Sequence, residues 1–273
     1  MRRMIFALTM AFAAVQAMGV ASAAAGEKRE IVTLDTRPSV TLNFLLIEPD
    51  KPIASVILFE GGSGDLKLSG TKVGHNGFLA ASRDKFAAHG LIVALVDAPS
   101  DKKDKRGMPG GFRSTGSHVK DIDSVVAWLK QKYALPVWLI GVSRGTQSAA
   151  YVAIHGNEGI GGLVLASSMA KLKVTDKSMA LPSMNLDRIT VPTLVIAHKR
   201  DGCQFTPPKG AEEIKKGLTS AARVDVRYFE GGRAVGKDPC KPRTYHTFFG
   251  IEDEVAAAIA AFVEANPVGL AKP

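Results

Sequence analysis

A serine hydroxyl becomes an effective nucleophile only when a base stands ready to take its proton. Gly141-Val142-Ser143-Arg144-Gly145 sets one serine in a suitable place, directly after the apolar run Val137–Val142 and before a helical pattern. G-x-S-x-G between a buried strand and a helix marks a strained turn that lifts the serine hydroxyl above a sheet. Glycines are needed two residues to either side because backbone and helix come too close there for side chains. The chemistry predicted is acyl transfer to water through an acyl-Ser143 intermediate. A histidine should act as base and a carboxylate should orient it. Around this motif the acid and then the histidine follow the serine along the chain. Asp201 and His246 stand in that order.

Such residues need elements to hold them. Glu30–Thr36, Val40–Glu48, Ala54–Phe59, Leu91–Val96, Val137–Val142, Leu163–Ala166, Thr193–Ala197 and Val224–Phe229 read as strands. Most are short apolar runs bounded by glycine, proline or polar residues, as suits strands buried on both faces. Helical spacing is expected at Phe78–Ala88, Val119–Tyr133, Arg144–Ile154, Pro208–Leu218 and Glu252–Glu264, with Ser117 as a candidate cap for the second. Strands alternating with helices predict an α/β fold with a mostly parallel sheet covered on both faces. In that frame Asp201 falls just past the strand Thr193–Ala197, and His246 lies between the last strand and the closing helix. The interval Ser167–Thr190 is too short for a large lid, so the site is expected to be open.

From its second strand to its final helix the chain resembles the α/β-hydrolases. The resemblance carries the nucleophile onto Ser143, the acid onto Asp201 and the base onto His246. It implies an oxyanion hole built from the backbone N–H of Arg144 and a second donor after the third strand, best matched by Gly62. Many esterases of this fold carry His-Gly where this chain has Glu60-Gly61. A small-molecule acyl substrate is implied, with no cofactor. A peptidase, thioesterase, acyltransferase or interfacial lipase on the same triad, or a binding protein on a hydrolase scaffold, are the competing readings.

Cys203 and Cys240 are the only cysteines. In an exported chain a disulfide is expected; two buried thiols are the alternative. A bridge would close 240 − 203 = 37 residues, contributing about 4 kcal/mol in the chain-entropy model. It would also tie the Asp201 loop to the His246 loop. Among other candidates, His75 and His118 fall in loops that could border the site. His198 reads as structural, and His89 and His155 as helix-end residues favourable to the dipole. Asp97 is a displaced-acid alternative. No histidine pair has zinc-motif spacing and no phosphate-loop spacing occurs, so no metal is expected.

Composition frames this reading. The 273 residues, 46% hydrophobic and 22% charged, suit one globular domain over residues 24–273. Met1-Arg2-Arg3, an apolar stretch Met4–Val20 and Ala21-Ser22-Ala23 describe a signal peptide over 1–23, with Ala25 the alternative cut. An anchor is the competing reading, because the stretch is near the lower length limit for spanning. Export to the periplasm or outside the cell is expected, with no integral membrane association afterwards. The paired arginines lack the polar residue that usually precedes a twin-arginine signal. The formal net charge is +9. Part of it is crowded into Asp101–Ser117, read as a solvated basic loop or a surface that steers anions. No nucleic-acid module is present in the sequence. Oligomeric state is left open.

Overall fold

Ala54–Phe59 (β3), Leu91–Val96 (β4) and Val137–Val142 (β5) are buried at every position, because each lies inside one sheet packed on both sides. In the computed structural model, described over residues 27–103, 107–108, 111–173, 176 and 178–267, the remaining strands are Lys28–Arg37 (β1), Val40–Glu48 (β2), Gly162–Ala166 (β6), Thr193–His198 (β7) and Val224–Phe229 (β8). The leader-like stretch 1–23 lies outside the described residues.

The eight strands run in the order β1-β2-β4-β3-β5-β6-β7-β8. β1, β2 and β4 pair antiparallel, and every pairing from β4 through β8 is parallel. Side chains alternate between two cores, as the period of two in a strand requires. Ile57, Phe59 and Leu139 face one core with Gly116–Tyr133 (α2), Gly145–His155 (α3) and Gly210–Gly217 (α4). Val56, Leu58 and Ile140 face the other with Phe78–Ala88 (α1) and Glu252–Glu264 (α5). Helices thus cover both faces, as expected. Among the described residues no helix is long and apolar enough to cross a membrane.

Two local readings change. α2 begins at Gly116, and Thr115 rather than Ser117 caps it, accepting the N–H of His118 at 3.3 Å. A threonine just outside the first turn wins because its extended backbone aims the hydroxyl at the free N–H groups. The described cations of the basic loop are also not all solvated. Lys105 and Arg106 lie outside the described residues, Lys103 pairs with Asp97 at 2.7 Å, and Arg113 is buried.

β1 is fastened to α2 by a charged contact. Asp121, buried on α2, accepts from Arg37 Nε at 2.8 Å and from Thr36 Oγ1 at 2.5 Å. The ends of β5, β6 and β7 all open at one edge of the sheet, where parallel sheets collect their functional loops.

Candidate active site

Ser143 occupies the turn between β5 and α3 with φ +53°, a left-handed conformation that non-glycine residues rarely adopt. Its N–H donates to Ala166 O at 3.0 Å, and its carbonyl accepts from Thr146 N at 3.0 Å and Thr146 Oγ1 at 2.6 Å. The flanking glycines are steric necessities. A Cβ on Gly145 would lie 1.9 Å from Phe59 O, and one on Gly141 would lie 2.5 Å from Gly145 O. The Ser143 hydroxyl bonds to no described residue. It opens into a cleft of about 330 Å³ that His246, His75, Gly62 and Lys241 also line.

Asp201 sits in the loop after β7. Its Oδ1 accepts from Cys203 N at 2.8 Å, and its Oδ2 accepts from Thr206 Oγ1 at 2.9 Å and lies 2.9 Å from His246 Nδ1. Asp201 and His246 are both buried, at 7% and 2% exposure. Buried carboxylates persist only when hydrogen-bonded, and three donors satisfy this one. A neutral imidazole that donates from Nδ1 keeps its lone pair on Nε2.

The histidine loop is held from below and from the side. Ser167, at the end of β6, donates its hydroxyl to His246 O at 2.8 Å. Phe248 is fully buried against Phe78 and Phe229. The disulfide Cys203–Cys240 is formed, with Cα atoms 4.7 Å apart. It joins the acid loop to the segment that leads into His246, and Cys240 itself lines the cleft.

Glu60 departs from the His-Gly pattern, and the structure gives it work within the turn. Its Oε1 accepts from Gly61 N at 2.9 Å and its Oε2 from Ala80 N at 2.8 Å. Gly61 N–H is therefore occupied. The N–H groups of Gly62 and Arg144 donate to no described residue. Beneath the turn, buried Arg113 donates to Glu60 O at 3.0 Å and to Ser148 Oγ at 2.8 Å. Burial, and then the charge of Arg144, press its pKa down to about 9 against the opposing pull of Glu60, so it stays charged at neutral pH.

The remaining candidates separate cleanly. His75 lines the cleft, with Nδ1 accepting the Gly77 N–H at 3.1 Å. His118 belongs to α2 rather than to a loop and is buried beside Phe59 and Phe112, away from the cleft. His198 is committed to Gly231 O and the Arg200 N–H, both at 3.0 Å. Asp97 accepts from Leu66 N at 2.8 Å and Ala98 N at 2.9 Å, far from acting as a displaced acid. His155 closes α3, where burial and then Arg188 push its imidazole toward the neutral form.

Thr206, Ser167, Arg113 and Lys241 are site residues that the sequence reading did not single out. Ser167 and Arg113 bond to residues distant in sequence, and a lone threonine, serine, arginine or lysine carries no spacing signal.

The fold is similar to that of solved hydrolases. An esterase from Pyrococcus furiosus matches with a TM-score of 0.62 at 16% identity, over 88% of this chain and 93% of its own. A dienelactone hydrolase from Anabaena variabilis matches at 0.60 and 15% identity, over 89% and 99% of the two chains. An α/β serine hydrolase without lid from Xanthomonas campestris matches at 0.59 and 14% identity, over 89% and 97%. No family model matches the chain, and no curated protein matches it in sequence. Identities this low speak to architecture alone: the chain has the α/β-hydrolase fold.

Proposed function

We propose that this chain is a serine hydrolase that cleaves a carboxylic ester through an acyl-Ser143 intermediate. One observation carries the reading: a buried Asp201–His246 pair, 2.9 Å apart, opens on the same cleft as a serine held in a left-handed turn. Several of the structural neighbours are esterases, which supports this class of substrate.

In the first half-reaction Ser143 Oγ attacks the acyl carbonyl while His246 Nε2 takes the serine proton. Asp201 holds the imidazole by Nδ1 and stabilises its charged form. The oxyanion is received by the N–H groups of Gly62 and Arg144, each contributing about 3 kcal/mol in comparable sites. Collapse breaks the ester C–O bond, and His246 passes its proton to the leaving alkoxide. Water then attacks the acyl-enzyme, His246 takes a proton from it, and Ser143 recovers a proton as the acid departs. A cleft of about 330 Å³ suits a small substrate.

Residues 1–23 act in this reading as an export signal and 24–273 as one domain. The disulfide supports an oxidising compartment, periplasmic or extracellular.

The test is a fluorophosphonate probe on the mature protein, followed by peptide mapping. Label on Ser143, lost in Ser143→Ala and His246→Ala, is expected, and an ester and thioester screen then ranks substrates. A folded, disulfide-bonded protein that takes no label would overturn the proposal in favour of a binding protein on this scaffold.

A further inference from the structure

The cleft beside Ser143 is unbalanced in charge. One ammonium lines it, that of Lys241, beside the imidazoles of His75 and His246. Its one lining carboxylate, Glu60, is buried and engaged by the N–H groups of Gly61 and Ala80. Asp201 is committed to Thr206, Cys203 and His246. No lining carboxylate is therefore free to answer the Lys241 ammonium, and Lys241 forms no ion pair with any described residue.

The backbone that carries Lys241 is anchored, while the residue itself is exposed. Its neighbour Cys240 is crosslinked to Cys203, and its own carbonyl accepts Thr244 Oγ1 at 2.8 Å. The surrounding segment 233–243 carries Arg233, Lys237, Lys241 and Arg243 against Asp238 alone, four positive charges to one negative. Asp238 is engaged by the Cys240 N–H at 2.9 Å. A concave site walled by one sign of charge concentrates ligands of the other sign.

We infer that the substrate is a small ester bearing an anionic group, a carboxylate or phosphate, which Lys241 receives at the mouth of the cleft. His75 adds a donor on the same wall. Its Nδ1 accepts the Gly77 N–H, so the neutral ring carries its proton on Nε2, the nitrogen close to Gly62. The inference rests on the hydrolase reading above.

The experiment compares matched esters. Mono-p-nitrophenyl adipate and p-nitrophenyl hexanoate share leaving group and chain length and differ in one terminal carboxylate. 4-Acetoxybenzoate and its methyl ester place the same contrast on the leaving group. At low salt, at least one anionic member is expected to show about tenfold higher kcat/KM than its neutral twin, and the ratio should shrink as salt rises. Lys241→Met should bring that ratio down about tenfold, and Lys241→Glu should invert it. Neutral esters turned over with label on Ser143, but with no anionic preference in either pair and no response to Lys241→Glu, would overturn the inference and leave the hydrolase reading standing. No turnover of any ester and no label would remove both.

Discussion

Ser167 Oγ donates to the backbone carbonyl of His246 across 79 residues of sequence, at 2.8 Å and fully buried. The end of β6 thereby sets the height of the histidine loop over the cleft. Removing the hydroxyl leaves a buried carbonyl without that donor, at a cost of about 1–3 kcal/mol. Ser167→Ala should lower the melting temperature by a few degrees and should reduce kcat more than it raises KM. Equal kcat in a destabilised variant would limit Ser167 to a structural role.

Thr206 is the third member of a buried triangle with Asp201 Oδ2 and His246 Nδ1, at 2.9 and 3.0 Å. Its hydroxyl helps fix the carboxylate against the imidazole, which on the hydrolase proposal orients the ring for proton transfer. Thr206→Val keeps the shape and removes the donor. We expect kcat to fall about tenfold, the equivalent of about 1.4 kcal/mol and close to the worth of one hydrogen bond to a charged group, and Thr206→Ser to recover most of it. Full activity in Thr206→Val would show that its hydroxyl is dispensable.

The crosslink between Cys203 and Cys240 closes a 37-residue interval that contains β8 and both loops flanking the Asp201–His246 pair. Replacing both cysteines by serine should cost about 4 kcal/mol of stability in the chain-entropy model. Activity should decline at temperatures where the protein is still folded, because the two loops lose their common anchor. Denaturant unfolding and rate measurements on the same sample separate the two effects.

His118 supplies a pH signature unrelated to turnover. Burial, and then the charges of Arg113 and Arg37, depress its pKa from 6.5 to about 3. Neither ring nitrogen has a hydrogen-bond partner. The folded protein therefore keeps the ring neutral while the unfolded chain protonates it. This contribution to stability is complete above pH 6.5 and is lost as pH falls from 6.5 toward 3. The slope is at most about 1.4 kcal/mol per pH unit. His118→Phe should flatten that part of the stability profile without loss at pH 7.5, as measured by urea unfolding across the range. An unchanged acid slope would count against a neutral buried His118.

The central strands were legible because runs such as Leu91–Val96 are apolar from end to end, and the outer strands β1 and β8 because β-branched and aromatic residues alternate there with polar ones. Ser143 was legible because its turn tolerates only glycine at 141 and 145, a constraint written directly into the residue types. Arg113 was not. Nothing in the composition of 101–117 separates a guanidinium folded under the Glu60 turn from the solvated lysines around it. Thr206 and Ser167 stayed hidden for the complementary reason. Ser167 bonds to a residue 79 positions away, and Thr206 donates to Asp201 five positions back while meeting His246 forty positions on, so only the folded chain reveals the groupings. The cap of α2 is Thr115, two positions before Ser117, and local sequence alone does not rank the two hydroxyls.

The left-handed backbone of Ser143 has a last consequence. Holding an L-residue there costs roughly 1–2 kcal/mol that glycine avoids, so the protein is less durable at this turn than its own fold would allow. An inert Ser143→Gly chain should melt higher than the wild type. The backbone at 143 would then be a stability reserve that the hydroxyl alone keeps unspent.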